Sequence, residues 1–236
     1  MSHVFQNHCV DLNTILQEPN FKSMIKTVHA QSKTNEAKKR VDIIHYKDYG
    51  KDQECPMYFG MWLEWFGQYF LNYFGHEFNL NNVKMIDSVS SGEEDRGVDG
   101  HGETLKNAKK RRGHVICAKR GYPVEIQVKA TLNPTKEYKT NDGSRLANFM
   151  MNAMSTAIIN GFAYNTRYIL FTSGRGLHYK LAENSNGLME IINYNNIIKL
   201  FDDDWEFLNH IRRSVGLDEH DLPELEMDLE AKINAE

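Results

Sequence analysis

Several things are scarce in this chain, and each scarcity excludes something. Three cysteines (Cys9, Cys55 and Cys117) are spread over 236 residues, odd in number and without a CxxC pair. That argues against a disulfide framework and against a structural zinc site. There are only five prolines. No apolar run approaches the roughly 18 residues a membrane span requires, so no membrane partner is expected. The first residues, Met1-Ser2-His3-Val4-Phe5-Gln6, lack a charged start followed by an apolar stretch. They read as no signal peptide, and a reducing, cytoplasmic setting is expected. Positive charge is not in excess: 28 Lys and Arg face 32 Asp and Glu, a net charge of −4. The whole-chain footprint of a basic nucleic-acid binder is therefore missing, although the position of charge matters more than its sum. The ten histidines show no HxH or HExxH spacing. Ser173-Gly174-Arg175-Gly176 lacks the Gly-Lys-Ser/Thr ending of a phosphate loop. No internal repeat is present.

What remains is the composition of a globular protein, 41% hydrophobic and 25% charged, with 11% aromatic residues to fill a core. Three stretches are read along the chain. Residues 1–55 form an N-terminal extension with a helix around Asn20–Ala30, a charged patch at Lys33–Arg40 and a short strand-like run at Val41–Tyr46. Residues 56–195 form the core. Residues 196–236 carry a helix near Trp205–Val215 and an acidic tail from Asp218, with Leu222, Leu225, Leu229 and Ile233 on one side of a peripheral helix.

Within the core, Met57–Phe74 is dense in aromatics and reads as a helix with a wide apolar face. Glu64, Gln68 and Asn72 recur at i, i+4, i+8 as a polar stripe, the pattern of a solvated helix face. Val83–Val89 reads as a strand, followed by a polar loop into Gly97-Val98-Asp99-Gly100. Val115–Ala118 and Val124–Ala130 read as strands joined through Arg120-Gly121-Tyr122-Pro123, a hairpin signal. Asn133–Ser144 is a polar loop. Leu146–Asn160 has helical spacing, and Arg167–Thr172 is a buried strand. His178–Tyr194 is hairpin-like. Helix, strands, helix, strand in that order describes an α/β domain.

The chemistry concentrates on Val124-Glu125-Ile126-Gln127-Val128-Lys129. Strict alternation puts Glu125, Gln127 and Lys129 on one strand face and three apolar residues on the other. The face also fits the solvent side of an edge strand, and Asp99 between glycines also fits an Asx turn. Together, however, they suit phosphodiester hydrolysis, which needs an activated water, an electrophilic phosphorus and a stabilised leaving oxyanion. A divalent ion on oxygen ligands serves all three. Asp99 supplies a carboxylate, Gln127 an amide oxygen and Val128 a backbone carbonyl. Lys129 points the same way as Gln127 and suits orienting water or stabilising phosphoryl charge. Glu125, about 7 Å from Gln127 along the strand, fits a second ligand, a water-bridged ligand or a general base. The basic residues Lys109, Lys110, Arg111 and Arg112, lying between Asp99 and that strand, are candidates for DNA-backbone contact. Arg175 is a further candidate of that kind. His101 follows the Gly97–Gly100 turn and reads as an exposed loop histidine.

Glu64, Gly97-Val98-Asp99-Gly100 and Gln127-Val128-Lys129, in that order, resemble the PD-(D/E)XK nuclease superfamily. The pattern is most similar to its Mrr-type restriction endonuclease branch, in which a GxDG-type turn precedes a strand carrying QxK. The resemblance covers roughly residues 57–180, with the Leu146–Asn160 helix and the Arg167–Thr172 strand where that family has its next helix and strand. It implies a restriction-endonuclease-like core, a mixed central β-sheet flanked by α-helices. It also implies a DNA endonuclease using Mg²⁺ (or Mn²⁺) and leaving 5′-phosphate and 3′-hydroxyl ends. Asp99 would bind the metal with Gln127 or Glu125, Lys129 would assist the attacking water, and Glu64 would join the site from its helix. Cutting both strands calls for two sites, hence a homodimer. A branched-DNA resolvase, a repair nuclease or a non-catalytic DNA-binding module with the same fold are the rival readings. Two features depart from the family pattern: no proline precedes Asp99, and the stretch from Asp99 to Gln127 is long and holds the basic run.

Overall fold

The computed structural model describes residues 11–33, 56–86, 97–107, 119–139, 144–159, 166–184, 189–202 and 204–220. Several expectations lie outside the described residues: the strand-like run at 41–46, the loop at 90–96, the four basic residues at 109–112, the strand at 115–118 and the apolar positions of the tail. The elements are α1 (Leu12–Ile15), α2 (Phe21–Ser32), α3 (Pro56–Tyr73), β1 (Leu80–Met85), β2 (Gly100–Thr104), β3 (Pro123–Lys129) and β4 (Glu137–Tyr138). They continue as α4 (Ser144–Ile159), β5 (Arg167–Thr172), β6 (Gly176–Leu177), α5 (Tyr179–Asn184), β7 (Met189–Ile192), α6 (Tyr194–Phe201) and α7 (Trp205–Ser214). Among the described residues no helix is long and apolar enough to cross a membrane.

The central sheet has five strands in the order β1-β2-β3-β5-β7. β1, β2 and β3 run antiparallel to their neighbours, whereas β3, β5 and β7 are parallel. Parallel neighbours need crossovers, and α4 and α5 lie in the two connections. The protein is thus mixed α/β, with a mixed five-stranded sheet flanked by helices. A separate two-stranded parallel ribbon, β4–β6, joins the segments that follow β3 and β5.

Each face of the sheet carries its own core. On one, α3 lays Trp62, Leu63, Phe66 and Phe70 against Val124, Ile126 and Val128 of β3 and Ile169 and Phe171 of β5. Leu12, Phe21 and Met24 from the N-terminal helices and Ile197, Phe201, Phe207 and Ile211 from α6 and α7 complete it, so residues on both sides of positions 55 and 195 share one core. On the other face, Leu146, Phe149, Met150 and Ala153 of α4 pack with Tyr168 and Leu170 of β5 and Met189 of β7.

Three local readings change. The strand expected at 83–89 lies at Leu80–Met85, with a register shift between Asn81 and Lys84. β3 takes β2 as its antiparallel neighbour, and 115–118 lies outside the described residues. The polar loop after residue 133 contains the short strand β4. The stretch 178–194 is not a hairpin: α5 carries the chain to β7, which is parallel to β5. α6 follows at once, because Asn193 and Asn196 form a reciprocal capping box at its start.

The polar stripe on α3 is partly exposed, and two of its side chains are also engaged by β1. Gln68 Oε1 accepts from the Met85 amide at 2.8 Å. Asn72 accepts from the Val83 amide at 2.9 Å and donates to its carbonyl at 2.8 Å. These side chains occupy backbone groups on the outer edge of β1, which protects an edge strand from pairing with another chain.

Candidate functional site

Backbone pairing explains where the site lies. Asp99 precedes β2, with its amide on the Ile126 carbonyl and its carbonyl taking the Ile86 amide, both at 2.8 Å. Gly97 has φ 86°, a left-handed conformation that favours glycine. Gly100 faces β1 so closely that a Cβ there would strike Met85 Sδ. The two glycines therefore let the chain turn and then press against β1, which fixes Asp99 at the head of β2.

β2 pairs with β3 only as far as Gly100 opposite Ile126. Past that point β3 keeps β5 on one side, through Lys129 opposite Thr172, and has no strand on the other among the described residues. The Val128 N–H, which points into this gap, still needs an acceptor. Asp99 Oδ2 supplies it at 2.6 Å, and the same oxygen accepts from Gln127 Nε2. Asp99 is 7% exposed and Gln127 0%, so the carboxylate is out of water and depends on such donors for its charge.

Two oxygens meet at one point here. Gln127 Nε2 touches Asp99 Oδ2 and lies 3.4 Å from the Val128 carbonyl. The other end of that amide, Oε1, is buried with no hydrogen-bond partner among the described residues. A buried orphan acceptor costs about 1–3 kcal/mol. Turning the amide over exchanges nitrogen for oxygen at nearly unchanged shape. Either way round, the Gln127 amide lies against Asp99 Oδ2 and the Val128 carbonyl, so one amide oxygen, one carboxylate oxygen and one backbone oxygen are gathered in this gap. All three are hard oxygen donors of the kind Mg²⁺ and Mn²⁺ take. The residues present thus fit a divalent ion. Among the described residues no group of three or more His, Cys, Asp or Glu side chains stands together, so most of the donors in this set are neutral oxygens.

The remaining candidates divide by position. Glu125, one pleat back on the same face, stands opposite His101 of β2. Burial raises its pKa, and the His101 charge partly offsets this. The residue in contact with Asp99 is Gln127, and Glu125 belongs to the next row. Lys129, half-buried, extends from the same face one pleat beyond Gln127. Its backbone carbonyl is held by Thr172 Oγ1 at 2.6 Å and by the Tyr138 hydroxyl at 3.3 Å. Thr172 Oγ1 in turn accepts from the Gly174 amide at 2.9 Å. Neither Thr172 nor Tyr138 stands out in the sequence, because the link passes through the sheet register and the ribbon. Glu64 lies on α3, across the sheet from Gln127, one turn before Gln68 and hence at the end of β1 where Ile86 meets Asp99.

Residues 109–112 lie outside the described residues, but both flanks of their segment are seen. The Arg120 amide donates to Asn107 Oδ1 at 3.0 Å, at the closed end of the β2–β3 hairpin. That end is roughly 14 Å along the strand from Gly100, the end where Asp99 sits. Arg175 is found at the opposite end, in the turn after β5, paired with Glu137 at 3.1 Å.

No protein-family model, curated protein or solved structure matches this chain. The reading of the site therefore stands on its residues and their geometry.

Proposed function

We propose that this protein is a metal-dependent DNA endonuclease with a restriction-endonuclease-like core, hydrolysing phosphodiester bonds with Mg²⁺ or Mn²⁺. One observation carries the reading: Asp99 Oδ2 and the Val128 carbonyl converge on the terminal amide of Gln127, whose Oε1 is orphaned. Lys129 is next along the same strand face. The element order supports it too, with a helix bearing Glu64 ahead of the site, and a helix and parallel strand after it.

Asp99, Gln127 and the Val128 carbonyl would hold the ion, which when bound lowers the pKa of water and polarises the phosphoryl group. Lys129 contributes a positive charge beside the reacting phosphate. It orients the attacking water and stabilises charge that grows on the phosphoryl oxygens. Glu125, one pleat back on the same face, would serve as a water-bridged ligand or as the base for the attacking water. Glu64 supports the site from α3. The protein acts as a homodimer when it cuts both strands.

The test is cleavage of duplex, single-stranded and branched DNA with Mg²⁺ and Mn²⁺. Lys129→Ala is expected to lower the rate by about 10³-fold, in the range seen when one charge-stabilising group is removed, with DNA affinity unchanged. A second reading, a non-catalytic DNA-binding module, is favoured by the lack of a cluster of three or more acidic or other metal-binding side chains among the described residues. It replaces the first if the wild-type chain binds DNA but cuts none of these substrates.

A further inference from the structure

The ribbon β4–β6 offers a surface that the catalytic reading leaves unused. It stands at the C-terminal ends of the parallel strands β3 and β5, the end of an open α/β sheet where ligands bind. Its attachment is firm. Ser173 Oγ donates to the Thr131 carbonyl at 2.7 Å and accepts from the Thr131 amide at 2.8 Å. The Arg175 amide donates to the Lys136 carbonyl, and the His178 amide to the Tyr138 carbonyl, both at 2.9 Å. The Tyr138 hydroxyl reaches the Lys129 carbonyl, so the ribbon adjoins the proposed catalytic lysine directly.

Charge on these segments departs from the rest of the chain. Residues 129–139 and 172–181 hold five cations (Lys129, Lys136, Lys139, Arg175 and Lys180) and one anion, Glu137, in a chain of net charge −4. Lys139, Arg175 and Lys180 are exposed. Tyr179 is 58% exposed, with Lys180 Nζ 6.0 Å from its ring centre. Cations on a rigid ribbon beside a phosphodiester site are placed to meet the phosphates that flank the scissile one.

We infer that the β4–β6 ribbon and the start of α5 form the DNA-backbone contact surface of this protein, with Lys139 and Arg175, which flank the ribbon strands, and Lys180 of α5 as its phosphate ligands. The inference rests on the nuclease reading for its choice of partner. The test is fluorescence anisotropy of a labelled duplex with the full chain in EDTA across a salt series. Three proteins are compared: wild type, the triple variant Lys139→Ala/Arg175→Ala/Lys180→Ala, and the quadruple variant Lys109→Ala/Lys110→Ala/Arg111→Ala/Arg112→Ala. The triple variant is expected to bind at least about tenfold more weakly at 0.1 M salt, with the salt slope reduced by about 0.9 per lost contact, or about 2.7 in all. The quadruple variant is expected to keep most of both. Wild-type affinity and slope in the triple variant, or no binding by wild type, overturns the inference. Cleavage with Mg²⁺ is run in parallel. Binding that depends on the ribbon without cleavage sinks the nuclease reading alone, and cleavage with an unaffected triple variant sinks the ribbon alone.

Discussion

On the α3 side of the sheet, ring lies against ring. Trp62 stacks on Phe66 with centroids 5.2 Å apart, Phe66 on Phe70 at 5.9 Å, and Phe70 meets Phe171 of β5 at 5.8 Å. On the α4 side the same strand β3 presents Glu125, Gln127 and Lys129, and its buried members are held by a carboxylate and backbone groups. The first face gains from every ring removed from water, with about 0.5–1.5 kcal/mol more per well-oriented pair. The second gives up some of that gain, since it buries Asp99 and leaves Gln127 Oε1 without a partner among the described residues. Such local conflict with packing is expected where a site is built rather than a core. A single strand whose side chains alternate lets both exist 5 Å or so apart.

The largest expected effect breaks the α3 face. Phe66 touches Phe21, Trp62, Phe70, Phe201 and Phe207, rings drawn from α2, α3, α6 and α7. Phe66→Ala is expected to cost about 3–5 kcal/mol, read as a fall in the urea midpoint. A loss below about 1 kcal/mol would mean that the N- and C-terminal helices do not share the α3 core.

Gln127→Met asks the corresponding question of the other face. It keeps volume and removes the orphan oxygen, but it deletes one donor to the buried Asp99 carboxylate, at an expected cost of about 1.5–3 kcal/mol in the metal-free protein. What it removes is a metal ligand. Wild type at an Mg²⁺ or Mn²⁺ concentration of about 100 Kd gains about 2.7 kcal/mol. Gln127→Met is expected to lose that gain, measured as the metal-dependent rise in Tm. An equal rise in both proteins excludes Gln127 as a ligand, and Glu125→Gln is then the variant expected to lose it.

How far these two faces can be read from sequence differs for a physical reason. The helices α3 and α4 and the strand β5 announce themselves, because long periodic or continuous apolar patterns follow from which side is buried. The face of β3 is equally plain, since period-2 alternation assigns Glu125, Gln127 and Lys129 to one side whatever the fold. Choosing between Glu125 and Gln127 requires knowing that β2 stops opposite Ile126. No local pattern encodes that end. β1 is misjudged by three residues because Asn79 and Asn82 adopt left-handed φ of 55° and 53° and a bulge interrupts its alternation.

Thr172 tests whether the polar face extends into positioning. Its hydroxyl links the Lys129 carbonyl to the Gly174 amide. Thr172→Val keeps the shape and breaks both bonds, at an expected cost of about 1–2 kcal/mol. If the hydroxyl positions Lys129, kcat falls about tenfold with KM unchanged, and Thr172→Ser restores it. A variant that loses stability but keeps kcat limits the hydroxyl to a structural part.

The smallest effect sharpens the account of the α3 face, whose stability should reside in its rings and not in the caps at its rim. Asp11 caps α1, accepting from the Thr14 amide at 3.2 Å and from its hydroxyl at 2.5 Å. The Thr14 hydroxyl holds its pKa below the ordinary 3.8 against the opposing effect of burial, with smaller help from the backbone amides of Thr14 and Asn13. A lowered pKa means that the folded protein favours the charged form. The cap's contribution is therefore complete above the unfolded-state pKa and is lost as pH falls through the folded one. Asp11→Ala is expected to cost about 0.5–1 kcal/mol at pH 7, the low end for an N-cap because α1 is a single turn. That corresponds to about 1–4 °C in Tm. Below pH 3 the deficit should shrink, since protonation weakens the same cap in wild type. A deficit that stays constant from pH 7 to pH 2.5 would assign the loss to chain conformation and remove the charge from the account of this cap.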